Sequence, residues 1–177
     1  MRIMQNPDMN THKEGVIMAI RIIVKEPDAV LHKIAKEVKE ITPNVKKLLK
    51  DMAETMYDAE GVGLAAPQVG ILKRLIVVDV GDDHGLIKLV NPVIVAKEGE
   101  QFGPEGCLSI PGYNGDVRRA EQVTVKGLDE NGNEVTITGT GLLSRCFQHE
   151  IDHLDGVLFT DIAEKVYEYV PERPGKE

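Results

Sequence analysis

The chain has 177 residues, of which 42% are hydrophobic and 28% charged, a balance that suits one globular domain with its own core. A formal net charge of −8, 4% aromatics and no tryptophan argue against direct nucleic-acid binding, which needs a basic face and stacking rings. No apolar run reaches membrane-spanning length and the N-terminal stretch lacks a signal-peptide core, so a cytoplasmic protein with no membrane partner is expected.

In chain order, residues 1–17 are polar and aperiodic and are expected to be a mobile extension. Met18 leads into Ile22-Ile23-Val24, the expected start of a single domain over 18–170, with 171–177 as a tail. A short helical stretch is expected around Val30 to Val38. A longer helix follows, with Thr42 as N-cap, Pro43 at the first helical position and Gly61 beyond its end. Val45, Leu48, Leu49, Met52, Met56 and Ala59 give it one apolar stripe.

The period then changes. Leu75 to Val78 and Leu86 to Val90 read as strands around the turn Gly81 to Gly85, and Asn91-Pro92 breaks the run before Val93-Ile94-Val95. Gln122 to Lys126 and Glu134 to Thr138 alternate cleanly about an Asn131-Gly132 turn, the pattern of a β-hairpin. Thr140 caps a last helix from Leu142 to about Leu154, ended by Gly156. Helices at either end of a block of hairpin-connected strands indicate an α+β fold.

Three segments carry chemistry. The last helix holds His149-Glu150-Ile151-Asp152-His153, an H-E-x-x-H run. Histidines four apart on a helix point the same way, so both imidazoles reach one cation, and the intervening glutamate is placed as general base. Glu105-Gly106-Cys107-Leu108-Ser109 puts a cysteine after a glycine in a Gly/Pro-rich stretch, well placed to project a thiolate. Cys146 shares the helical face of Leu142, His149 and His153 and so competes with Cys107 as third ligand. Three ligands on successive turns of one helix lie nearly in line and cannot close a tetrahedron, which favours Cys107 as ligand and Cys146 as pocket wall. Gly61-Val62-Gly63-Leu64-Ala65-Ala66-Pro67-Gln68 superficially matches a dinucleotide fingerprint. The order is reversed, with a helix before it and a strand after, so the nucleotide reading fails.

Taken together and in this order, these three segments resemble the motifs of the peptide deformylase family, over about Met18 to Asp161. The resemblance implies antiparallel sheets packed around a central helix carrying H-E-x-x-H, with an N-terminal helix. It implies removal of the N-formyl group from N-formylmethionyl nascent peptides, releasing formate. Cys107, His149 and His153 would hold one divalent metal ion, Fe²⁺ by family habit, with Zn²⁺, Ni²⁺ or Co²⁺ able to substitute. Glu150 would move protons, and the Gln68 side chain and the Leu108 backbone N–H would stabilise the oxyanion. Gly63 would bind the peptide backbone in extended form, and Val62, Leu142 and Cys146 would line a methionine slot. Glu105 is expected to pair with Arg118 or Arg119 and fix the cysteine loop.

The chain departs from many relatives at Gly112-Tyr113-Asn114-Gly115, where a basic residue is common, and it lacks their long basic C-terminal helix. Transient ribosome association remains an open partner relationship, though not by that helix, and a monomer is expected. The rival readings are an H-E-x-x-H metalloprotease and a non-catalytic metal-binding protein. A protease would need a downstream third ligand, and only Asp155, Asp161, Glu164 and Glu168 are on offer.

Overall fold

The computed structural model describes residues 19–170; the expected extension over 1–17, Met18 and the tail 171–177 lie outside the described residues. Helix α1 spans Pro43–Asp58, and Thr42 Oγ1 accepts from Val45 N at 3.3 Å to cap its first turn. At the other end Glu60 adopts a left-handed φ of 59° and Gly61 N donates to Met56 O at 2.9 Å, closing the helix one residue earlier than the glycine suggests.

The helix expected around Val30 to Val38 is only a 3₁₀ turn at Ala29–His32. Beyond it the backbone bonds elsewhere: Ala35 N donates to Leu154 O at 2.8 Å and Lys36 N to Leu72 O at 3.0 Å. Tertiary partners thus take the place of helical ones, which overrides a weak local propensity.

Eight strands follow in chain order: β1 Gly63–Ala65, β2 Leu75–Val78, β3 Ile87–Glu98, β4 Gln101–Cys107, β5 Ile110–Arg119, β6 Gln122–Leu128, β7 Glu134–Thr140 and β8 Lys165–Glu168. They form two antiparallel sheets, one in the order β1-β2-β3-β6-β7 and one in the order β4-β5-β8. With helix α2 at Gly141–Leu154 and the short α3 at Phe159–Ile162, the fold is α+β.

Strand β2 explains how the helices are arranged. Its four residues are all buried, Leu75 and Val77 in the α1 core with Leu49, Met52 and Met56, Ile76 and Val78 in the α2 core with Leu143, Phe147 and Leu154. A strand covered on both faces reads as an unbroken apolar run, as Leu75-Ile76-Val77-Val78 does.

Asn91-Pro92 does not end a strand. Asn91 takes a φ of 52° and its side chain pairs with Val38 N and Val38 O, both at 2.8 Å, so β3 bulges and continues to Glu98. The β6–β7 loop is also wider than a two-residue Asn-Gly turn. Asp129 Oδ1 accepts from Asn131 N at 2.8 Å and Asn133 N at 3.0 Å, and Gly132 takes the positive φ of 82°.

The Gly/Pro-rich stretch around Cys107 is strand, not open loop: β4 and β5 pair from Gln101 with Arg119 to Cys107 with Ile110. Glycine hides the alternation because packing needs it there. A Cβ on Gly115 would sit 2.9 Å from Phe159 Cε2 and from the Ala163 Cβ.

Candidate metal centre and its cleft

Helix α2 is buried along most of its length, and its polar residues point inward with its apolar ones. His149 and His153 bring their Nε2 atoms to 3.2 Å from each other, and Cys107 Sγ lies 3.4 Å from His153 Nε2. The ligating atoms of all three residues fall within 4.8 Å of one another. These spacings are near the ~3.4 Å edge of a tetrahedron around an ion held at ~2.1 Å, so the donor set fits a small divalent cation. Cys107 comes from the end of β4, which supplies the direction a single helix cannot. Cys146 is turned aside: its Sγ lies 3.5 Å from Val62 O.

Glu105 fixes the first imidazole. Its Oε1 is 2.7 Å from His149 Nδ1, and the His149 ring also stacks on Phe159 of α3 at 6.3 Å. Of the two arginines considered, Arg119 is the partner, bonding both Glu105 oxygens at 2.7 and 2.8 Å. Arg118 is exposed and pairs with Glu164 and Glu100 instead. Burial alone would raise the Glu105 carboxyl, but hydrogen bonds from Arg119 and His149 and their charges hold it well below the usual carboxylate range.

The imidazoles differ. Burial opposes charge on both. Hydrogen bonds to Cys107 and Glu105 still draw His149 well upward, whereas burial and the charge on His149 push His153 well down. Glu150 lies next to the cluster with Oε1 3.9 Å from His149 Nε2, and its Oε2 is buried without a hydrogen-bond partner. Burial raises its carboxyl to about 7, against the pull of His149 and with a push from Glu105.

A cleft of about 450 Å³ opens on this cluster, and Val62, Gly63, Gln68, Cys107 and Leu108 are in its lining. Leu142, Cys146, His149 and Glu150 line it too, as do Tyr113, Asn114 and Tyr169. Gln68 is buried with its amide fixed: Oε1 accepts from Ala65 N at 3.0 Å, and Nε2 donates to Ser109 Oγ at 3.1 Å and to Cys107 Sγ at 3.5 Å. Gly63 sits where nothing larger fits, since a Cβ there would lie 2.7 Å from both Cys146 Sγ and Glu150 Oε1.

The acids that a protease would need are engaged elsewhere. Asp155 pairs with Arg74 at 3.0 Å, Asp161 accepts from Leu158 N at 2.9 Å and Glu164 pairs with Arg118 at 2.7 Å. Glu168 lies opposite Tyr113 in the second sheet. Sequence reasoning passed over Arg145, a buried cation on α2 that also reaches Glu105, at 2.6 Å. The available signal was an arginine four residues before His149, on the same helical face.

Two antiparallel sheets meeting over a cysteine–histidine cluster, with a buried carboxylate beside it, are the build of a metal-dependent hydrolase. The family model described as polypeptide deformylase matches residues 20–168. The peptide deformylase of Carboxydothermus hydrogenoformans is 56% identical over 149 residues, covering 84% of this chain and 97% of that protein. That of Caldanaerobacter subterraneus is 60% identical over 144 residues, covering 81% and 89%. Among solved structures, a peptide deformylase from Legionella pneumophila superposes with a TM-score of 0.79 at 53% identity, covering 82% of this chain and 87% of that one. One from Synechococcus elongatus, in complex with actinonin, gives 0.77 at 42% identity, covering 84% and 88%. The chain belongs to the polypeptide deformylase family.

Proposed function

We propose that the chain hydrolyses the N-formyl group of N-formylmethionyl nascent peptides and releases formate, with α2 as the central helix that organises both sheets. The observation that carries this is the meeting of Cys107, His149 and His153 within 4.8 Å, beside Glu150, in an open cleft. Residues 18–170 act as one catalytic domain, in a protein that works as a monomer.

Cys107, His149 and His153 would hold the divalent ion. Fe²⁺ is the ion of this reading, and Zn²⁺, Ni²⁺ or Co²⁺ suit the same thiolate and imidazole donors. When bound, the ion would supply Lewis-acid polarisation and make hydroxide available near neutral pH. Glu150 takes the proton of the attacking water and returns it to the leaving amine, a role that suits a buried carboxylate beside the cluster with one oxygen free of protein partners. Gln68 Nε2 and the Leu108 N–H receive the negative charge on the formyl oxygen; one such donor is worth about 3 kcal/mol in a transition state.

Gly63 binds the peptide main chain. It belongs to β1, the terminal strand of its sheet, and extended peptides add to such edges. Val62, Leu142 and Cys146 form the apolar slot for methionine. Among the described residues no helix is long and apolar enough to cross a membrane, and both cysteines are free. A cytoplasmic enzyme fits these facts and its substrate. Transient ribosome association fits the supply of nascent chains, and the net charge of −8 opposes direct nucleic-acid binding.

Formate release from formyl-Met-Ala-Ser by the Fe²⁺-loaded protein tests the reading. Formate release from this peptide and no acetate release from acetyl-Met-Ala-Ser are expected. Failure to cleave the formyl peptide with metal bound would exclude it.

A further inference from the structure

We infer that Arg145 is a positioning residue for the metal cluster, clasping the strand that ends in Cys107 to the helix that carries His149. The inference rests on the proposed reading of Cys107, His149 and His153 as ligands.

The guanidinium leaves α2 one turn before His149 and is buried. Its Nη1 donates to Glu105 Oε2 at 2.6 Å and Nε donates to Gln101 Oε1 at 3.1 Å. Nη1 also reaches Gly103 O at 3.4 Å, and both terminal nitrogens reach Val117 O at 3.2 Å. One α2 side chain therefore holds three positions of β4 and one of β5. A buried cation is costly unless its donors are matched, and a planar fork with five N–H groups can match this many acceptors where an ammonium cannot.

The chain of contacts runs straight to the ligands. Glu105 is two residues before Cys107, and its other oxygen accepts from His149 Nδ1 at 2.7 Å. Arg119 also holds Glu105, but from β5, and its link to α2 is Asp152 at 2.6 Å on the more exposed side. Arg119 is buried as well, but only Arg145 belongs to α2 itself, one turn before His149.

The test is Co²⁺ titration of the full chain, followed by the thiolate-to-Co²⁺ absorption band, on wild type, Arg145→Met, Arg145→Lys, Glu105→Gln and the Arg145→Met/Glu105→Gln pair. Partners behind a metal ligand typically contribute about 10- to 100-fold in affinity, and a loss of that size is expected for Arg145→Met. Arg145→Lys should fall between it and wild type. Because Arg145 acts through Glu105, adding Arg145→Met to Glu105→Gln should cost little more, whereas a merely structural role would give the same loss in both backgrounds. Exposed Arg118→Ala should match wild type. Unchanged Co²⁺ affinity and absorption in Arg145→Met, or equal losses in both backgrounds, would overturn the inference. Should Arg145→Met fail to fold by circular dichroism, Arg145→Lys decides: weakened binding supports the clasp and wild-type binding overturns it. A wild-type protein that binds no Co²⁺ would instead remove the ligand reading itself.

Discussion

His149 Nδ1 lies 2.7 Å from Glu105 Oε1, and that contact decides which way the imidazole faces. With Nδ1 given to the carboxylate, Nε2 is left toward His153 Nε2, 3.2 Å away, and toward the Cys107 thiol. A strand residue thus sets the tautomer and aim of a helix residue, and the same strand delivers the sulfur two residues later.

The two cysteines should separate cleanly. Cys107→Ser is expected to lose most of its bound metal, whereas Cys146→Ser, whose Sγ points to Val62 O at 3.5 Å, should keep one ion per chain. Metal analysis of the purified variants checks this.

In the proposed function Glu150 moves protons and does not bind the ion. Glu150→Gln should retain metal and substrate affinity while kcat falls by about 10²- to 10⁴-fold, the usual worth of a positioned acid–base group. Steady-state kinetics with matched metal analysis distinguish this from a loss of the site.

The raised carboxyl of Glu150 has a sign in stability. Burial lifts it to about 7, above its ordinary 4.5, so the folded metal-free protein holds this proton more tightly than the unfolded chain does. Its stabilising contribution is full below the ordinary value and is lost as pH rises through about 7. The difference in Tm between metal-free wild type and Glu150→Gln should therefore shift against wild type from pH 5 to pH 8, as measured by calorimetry. Because the Glu150 charge also raises His149 and Cys146, the difference reports Glu150 together with its coupling to them.

Gly63→Ala should damage both stability and turnover. The added Cβ meets Cys146 Sγ and Glu150 Oε1 at 2.7 Å, so a packed thiol and a buried carboxylate must move. Overpacking of this kind costs about 1–3 kcal/mol, readable by urea denaturation, and kcat should fall with it.

Much of the fold was legible where pattern and burial agree. The stripe of α1, the run Leu75 to Val78 and the hairpin strands around Asp129 to Asn133 each state their period plainly. Strands β4 and β5 were not, because Gly106, Gly112 and Gly115 replace alternating side chains where neighbours press close or the chain turns. β8 is four residues long and gains its place by pairing with β5, which no local signal announces. At Val30 to Val38 long-range backbone bonds displaced the expected helix. In the site, the H-E-x-x-H spacing and the cysteine after glycine were readable, as was the existence of an arginine partner for Glu105. The choice of Arg119 over Arg118 was not, since it depends on which face of β5 turns inward: Arg119 is buried and Arg118 exposed. Arg145 escaped notice because a charged residue on a buried helix makes sense only once Glu105 and Val117 are seen opposite it.

X-ray absorption at the zinc edge, on protein loaded with one Zn²⁺ per chain, tests the central claim most directly. One sulfur at about 2.3 Å and imidazole nitrogens at about 2.0–2.1 Å are predicted, with the sulfur shell absent in Cys107→Ser. A wild-type spectrum of nitrogen and oxygen neighbours alone, or a sulfur shell that persists in Cys107→Ser, would contradict the account.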